Sequence, residues 1–209
     1  DLGSINSLLS PFFSAGFYYK TFIHPRIAWK YLFEPIIRSS AGLGRAPSYS
    51  DSDRYEHFYC HVDVLVIGGG LSGLTAAHQV GLSGANTLLL EQSSYFGGRA
   101  VVDEVEIDEE PSSNWVERIV SKIKKISNIT IKKRIMASGI YDHGYVLAYE
   151  RVSDHTPGVG LVRHRLWKIR AKHVILASGS IERPLVFPGN DIPGVMLASA
   201  VRDYVKLYA

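Results

Sequence analysis

Val62-Asp63-Val64-Leu65-Val66-Ile67-Gly68-Gly69-Gly70-Leu71-Ser72-Gly73 is the stretch on which the reading of this 209-residue chain turns. Six residues, five of them apolar, run into three glycines. That is the composition of a strand buried on both faces and stopped by a tight turn. Gly68, Gly70 and Gly73 satisfy G-x-G-x-x-G. Leu71–Leu82 carries a helical pattern, with Leu74, Ala77, His78 and Gly81 expected on the strand-facing side. Thr87–Leu90 is expected as a second buried strand. Glu91 closes it 23 positions after Gly68, near the spacing of roughly 20 at which an acidic residue meets a ribose.

Each part of that pattern has a physical task. Gly68 permits the turn, Gly70 lets a pyrophosphate approach the backbone, and Gly73 lets helix and strand pack closely. The free N–H groups and dipole of the helix N-terminus favour the negative charge. Glu91 would accept hydrogen bonds from an adenosine ribose and repel a 2′-phosphate, and Gln92-Ser93-Ser94 supplies no arginine to hold one. NAD or FAD therefore fits better than NADP. The Gly97-Gly98 doublet after Glu91, and the run 174–179 (VILASG) with Ser178 where an Ala-Thr-Gly motif has threonine, extend the pattern toward flavoprotein-type folds.

Working outward, 46% hydrophobic and 21% charged residues exclude a disordered, collagenous or coiled-coil chain. No apolar run approaches the roughly 18 residues of a membrane span, so no membrane partner is expected. The balance of 23 basic and 20 acidic residues gives +3, so nucleic acid is not the default partner. The single Cys60 makes no internal disulfide or thiol pair and points to a cytoplasmic setting. Residues 1–60 are an aromatic arm and linker: Phe12, Phe13, Phe17, Tyr18, Tyr19, Phe22, Trp29, Tyr31 and Phe33 crowd between prolines, followed by the Gly/Pro/Ser-rich 41–53. The arm is expected to pack on a neighbouring surface or on a partner subunit.

Residues 61–209 are the dinucleotide-binding domain. After Leu90 a helix is expected over 114–126, then three antiparallel strands over 129–136, 145–152 and 161–170, then a further apolar strand at 173–177. The fold class is α/β, a Rossmann-like FAD/NAD(P)-binding domain of the two-dinucleotide-binding type with an inserted antiparallel β-meander. The absent initiator methionine and the end inside a helical pattern mark an expected truncation, with the second half of the domain missing.

Three stretches resemble the alpha subunit of heterotetrameric sarcosine oxidase: 33–44 (FEPIIRSSAGLG), 55–70, and above all 179–200, with its Glu182-Arg183-Pro184-Leu185-Val186-Phe187-Pro188-Gly189-Asn190-Asp191 core. A shorter form of the last stretch is similar to hydrogen cyanide synthase and opine oxidase subunits. The resemblance implies a longer subunit, with a ferredoxin-like region before this segment and a folate-binding domain after it. It implies NAD bound by this chain, FAD in a beta subunit, FMN at the alpha–beta interface, and gamma and delta subunits as further partners. The implied activity is oxidative demethylation of sarcosine to glycine with hydrogen peroxide and transfer of the one-carbon unit to tetrahydrofolate. Carried onto this sequence, Gly68, Gly69, Gly70, Ser72 and Gly73 meet the pyrophosphate, and Glu91 with Gln92 meets the ribose. Gly98 and Arg99 lie near the cofactor, Ala137 is an adenine-side backbone contact, and Ala177, Ser178 and Gly179 close the site. Leu71 stands where the family has proline. A self-sufficient FAD-dependent oxidoreductase is the alternative.

No residue is assigned a catalytic role. The eight histidines have no metal spacing. The acidic run Asp103, Glu104, Glu106, Asp108, Glu109, Glu110 is expected as a solvated loop, and Arg163, Arg165, Lys168, Arg170 and Lys172 as the basic face of a solvated edge strand.

Overall fold

The computed structural model describes residues 24–44, 48–156, 158 and 160–208. Phe12, Phe13, Phe17, Tyr18, Tyr19 and Phe22 of the expected arm lie outside them. The chain divides into two compact units, Asp1–Ser52 and Asp53–Ala209. In the first, helical segments Arg26–Ala28, Trp29–Phe33 (a π-type turn) and Glu34–Ser40 follow one another and bury none of their residues.

Strand β1 of the second unit, Arg54–Ile67, is 14 residues long. The strand expected at 62–67 is thus its second half, and Arg54 to Cys60, expected in the arm, form the first. Tyr55, Phe58 and Tyr59 suit a half-exposed pleated surface as well as they suit an arm, and only pairing with a distant strand distinguishes the two. The remaining strands and α-helices are α1 (Leu71–Leu82), β2 (Thr87–Leu90), α2 (Arg99–Val102), β3 (Glu106–Ile107), β4 (Glu110–Pro111), α3 (Ser112–Lys124), β5 (Ile129–Lys132), β6 (Ile135–Tyr141), β7 (Tyr145–Arg151), β8 (Val162–Leu176) and α4 (Ala198–Asp203), with a 3-10 turn at Asp142–Gly144 and a π-type turn at Tyr204–Tyr208.

Six strands form one sheet in the order β5-β2-β1-β8-β7-β6. β5, β2, β1 and β8 are parallel neighbours, while β7 is antiparallel to both β8 and β6. Two expectations change here. The single strand expected over 129–136 is two: β5 joins the parallel edge, and Arg134, at φ 60°, turns the chain into β6. The strands expected at 161–170 and 173–177 are one, β8. Its first part is the third strand of the meander and its last part the fourth parallel strand.

Each sheet face has its own core. Val64, Val66 and Leu89 pack under α1 and α3, against Leu74, Ala77, Val116, Ile119 and Ile123. Leu65, Leu88 and Leu90, one position out of phase, pack with Ile135, Val146, Ala148, Trp167 and Ile169 of the meander strands. Parallel strands buried on both faces therefore read as unbroken apolar runs. α1 lies close on the sheet at Gly81, where a Cβ would stand 2.1 Å from Ile129 Cδ1. In α1, Gly73 is buried where His78 was expected, and His78 is half-buried.

Candidate dinucleotide cleft

A cleft of about 880 Å³ opens at the carboxyl ends of β1, β2 and β8, the end at which open parallel sheets take ligands. Its floor is set by the glycine turn. Gly68, at φ 109°, donates its N–H to Leu90 O at 2.8 Å, and a Cβ there would stand 2.2 Å from Ala177 O. A Cβ on Gly73 would stand 1.8 Å from Gly68 O. Both glycines therefore seat α1 directly against the strand ends.

Gly70 differs. It is the N-cap of α1, no side chain caps the helix, and a Cβ there would meet nothing within 4 Å. The space a side chain would fill is cleft, beside the uncapped N–H groups of a 12-residue helix. That is the arrangement a pyrophosphate requires. Gly98, at φ 55°, stacks on Gly70, with Gly70 Cα 3.5 Å from its would-be Cβ. The two glycine segments are tied by Gly97 N–H to Gly69 O at 2.8 Å.

Glu91 is 6% exposed. One carboxylate oxygen accepts the Gly69 N–H and the other the Ser93 N–H, each at 2.7 Å. Each oxygen retains lone-pair capacity for a ribose hydroxyl. The acid thus holds the glycine turn as well as facing the cleft, a structural role that spacing alone did not reveal. The loop after it is fixed from the meander: Arg151 donates to Gln92 O at 2.7 Å, and the Arg134 N–H to Ser93 O at 2.9 Å.

Of the residues expected at the site, Gly68, Gly70, Ser72, Glu91, Gln92, Gly98, Arg99, Ala137, Ala177, Ser178 and Gly179 line the cleft. Gly69 and Gly73 stand behind it, the first bonded to Glu91 and the second beneath Gly68. Arg99 turns its guanidinium to Asp103 and Asp203. Those two carboxylates, Asp103 first, hold its pKa above the ordinary arginine value.

Tyr95, Ile135, Met136, Ile181 and Asp203 also line the cleft and were not expected there. Ile135 and Met136 directly precede Ala137 in the same strand, and their place followed from its own. Asp203 is brought in by α4, far along the chain from the glycine turn, without a local signal. Burial raises the pKa of the Tyr95 hydroxyl, and the Asp203 and Glu91 carboxylates add to the shift.

Outside the cleft, the acidic run forms the short β3–β4 hairpin. Asp103 pairs with Arg99 and Arg202, Glu104 with Lys206, and Glu110 with Arg118. The expected edge strand is internal: β8 lies between β1 and β7. Its cations serve cross-strand contacts, Arg165 with Glu56 and Glu150, and Lys172 with Asp63. Burial pushes the Cys60 thiol up. Among the described residues no three His, Cys, Asp or Glu side chains gather as a metal site. No helix among them is long and apolar enough to cross a membrane.

Comparison with known proteins agrees with this geometry. The family model described as FAD dependent oxidoreductase matches residues 63–176. The sarcosine oxidase subunit alpha of Rhizobium meliloti (strain 1021) is 44% identical over the whole of this chain, and that of Corynebacterium sp. (strain P-1) is 41% identical over 80% of it. The chain spans 21% and 18% of those two proteins. Among solved structures, L-proline dehydrogenase from P. horikoshii superposes with a TM-score of 0.58 at 26% identity, covering 78% of this chain and 31% of that one. With more than half its length matched and the glycine cleft in place, the chain belongs to the FAD-dependent oxidoreductase family.

Proposed function

We propose that this chain is the NAD-holding part of an alpha subunit in a heteromeric sarcosine oxidase. The observation that carries the cofactor reading is the pairing of an open Gly70, at the uncapped start of α1, with buried Glu91 at the end of β2. The phosphates would rest on Gly68, Gly70, Ser72 and Gly98. The ribose would meet Glu91 and Gln92, and Ala137 would supply a backbone contact on the adenine side. Bound NAD supplies a hydride-accepting nicotinamide. The chain's own contribution is to bind and orient the dinucleotide and to keep the phosphate end in a backbone cradle. Similarity over the full chain to sarcosine oxidase alpha subunits supports NAD and the setting of the whole enzyme. That enzyme demethylates sarcosine to glycine, forms hydrogen peroxide and passes the one-carbon unit to tetrahydrofolate. FAD lies in a beta subunit and FMN at the alpha–beta interface, gamma and delta complete the assembly, and the compartment is the cytoplasm.

The family model favours a second reading, FAD in the same cleft, because both dinucleotides share the ADP half. Thermal unfolding with added NAD separates the two. The NAD reading expects a colourless chain whose midpoint rises with NAD, and Glu91→Ala that abolishes the rise. Loss of both ribose hydrogen bonds weakens binding about tenfold or more. A yellow preparation that releases FAD on heating replaces NAD with FAD.

A further inference from the structure

The cations of β8 point to two different faces, and on the outer one Lys168 and Arg170 lack the acidic partners that Arg165 has on the inner. On the meander's inner face Arg165 contacts Glu150 at 3.0 Å and Glu56 at 3.1 Å. On the outer face Lys168 donates to the Tyr59 hydroxyl at 3.2 Å and stands 5.0 Å from the centre of that ring. Arg170 lies 4.7 Å over the Tyr145 ring and donates to the carbonyls of Asp142 and His143. Among the described residues neither Lys168 nor Arg170 has a carboxylate partner.

Strand register arranges these side chains in rows. Tyr59 lies beside Lys168, and Lys168 beside Leu147. In the next row His61, Arg170, Tyr145 and Tyr141 stand in order across β1, β8, β7 and β6. None of these side chains is acidic. The neighbouring acids are Asp63, held by Lys172 at 2.7 Å, and Asp142 in the turn beyond the last row. Tyr59 is 66% exposed and Tyr141 55%. The result is a pleated face of tyrosines, pre-positioned cations and an intervening leucine, with uncompensated positive charge.

Aromatic rings and arginine with an apolar centre characterise protein interfaces. A cation already seated on a ring loses little freedom when a carboxylate reaches it. We infer that the outer face of β1, β8, β7 and β6, centred on Tyr59, Lys168, Arg170 and Tyr145, docks an acidic surface of another protein subunit. This rests on the multi-subunit reading above and gives that reading a location. Leu147 and Leu166 among the tyrosines favour a protein over a polyanion, which would call for cations tracking phosphates rather than an apolar centre.

The test uses the full-length native protein, isolated through a tag with the subunits it carries. Its amines are acetylated with an N-hydroxysuccinimide ester, in the assembly and after the subunits are separated. A parallel sample is treated with a water-soluble carbodiimide, which joins amines to touching carboxylates. The expected result is Lys168 labelled at least about tenfold more slowly in the assembly, and joined to an Asp or Glu of another subunit. Lys168→Glu with Arg170→Glu is expected to weaken association about tenfold or more, with NAD binding retained. Lys125→Glu, beyond α3, serves as the control.

Equal labelling while other subunits co-purify overturns the docking face and leaves the multi-subunit reading intact. A link from Lys168 to this same chain, or protection abolished by nuclease, also overturns it. Recovery without any other subunit, from a chain that still takes NAD, overturns both.

Discussion

The two halves of β1 share one strand and little else. Val64 to Val66 are buried between α1 and α3 on one side and the meander strands on the other. Arg54 to His61 have β8 as a parallel partner and leave Tyr55, Phe58 and Tyr59 exposed. The inner half is held by apolar burial and ends in the cleft. The outer half is held by cross-strand pairs, Phe58 with Trp167 at 4.3 Å between ring centroids and Glu56 with Arg165. The inner half is also paired on both edges, with β2 and β8, and the outer half with β8 alone, so backbone and side chains both hold the inner half more firmly.

That contrast sets a graded series of outcomes. The largest belongs to Gly73→Ala at the cleft end, where the new Cβ would fall 1.8 Å from a backbone oxygen. Backbone cannot yield as a side chain can, so destabilisation above about 3 kcal/mol is expected. Urea unfolding and soluble yield measure it, and a near-wild-type midpoint would contradict the packing described. Next is Leu65→Ala, a fully buried leucine, expected to cost about 3 kcal/mol. Phe58→Ala, in the outer half of the same strand, is expected to cost only about 1 kcal/mol, the scale of a cross-strand aromatic pair. If the two variants unfold alike, the halves are not different in kind.

The smallest effect lies at the junction of the halves. The Lys172 hydrogen bond, and then the Asn86 amide, hold the Asp63 carboxyl below its ordinary pKa. A depressed folded-state pKa means stability that is present above the ordinary aspartate range and fades as pH falls through the folded value. Asp63→Asn is therefore expected to unfold slightly more easily at neutral pH, with the difference from wild type vanishing in acid. Denaturant midpoints at the two pH values check the sign.

Legibility in the sequence follows the same division. The inner half of β1, β2 and α1 were readable because burial on both faces writes a continuous apolar run, and because Gly68 and Gly73 are demanded by backbone contacts. Glu91 followed from spacing to that turn, Gly98 and Ala177 from likeness to flavoprotein motifs, and all three line the cleft. The outer half was not readable. Alternating aromatic and polar residues describe a packed arm and an exposed strand equally, until β8 is known to lie alongside. The division of β5 from β6 turns on one residue, Arg134, in a left-handed conformation that its side chain does not announce. Asp203 entered the cleft through tertiary packing alone.

The continuity of β8 also has a consequence in time. Glu56 of β1 meets Arg165 of β8 across 109 positions of chain, so β1 emerges during synthesis long before its neighbour exists. Until β8 is made and slides between β1 and β7, both strands present unpaired edges to other nascent chains. Closing so long a loop is slow relative to local helix formation. The ribosome-bound intermediate, rather than the finished sheet, is where this protein is most exposed to aggregation.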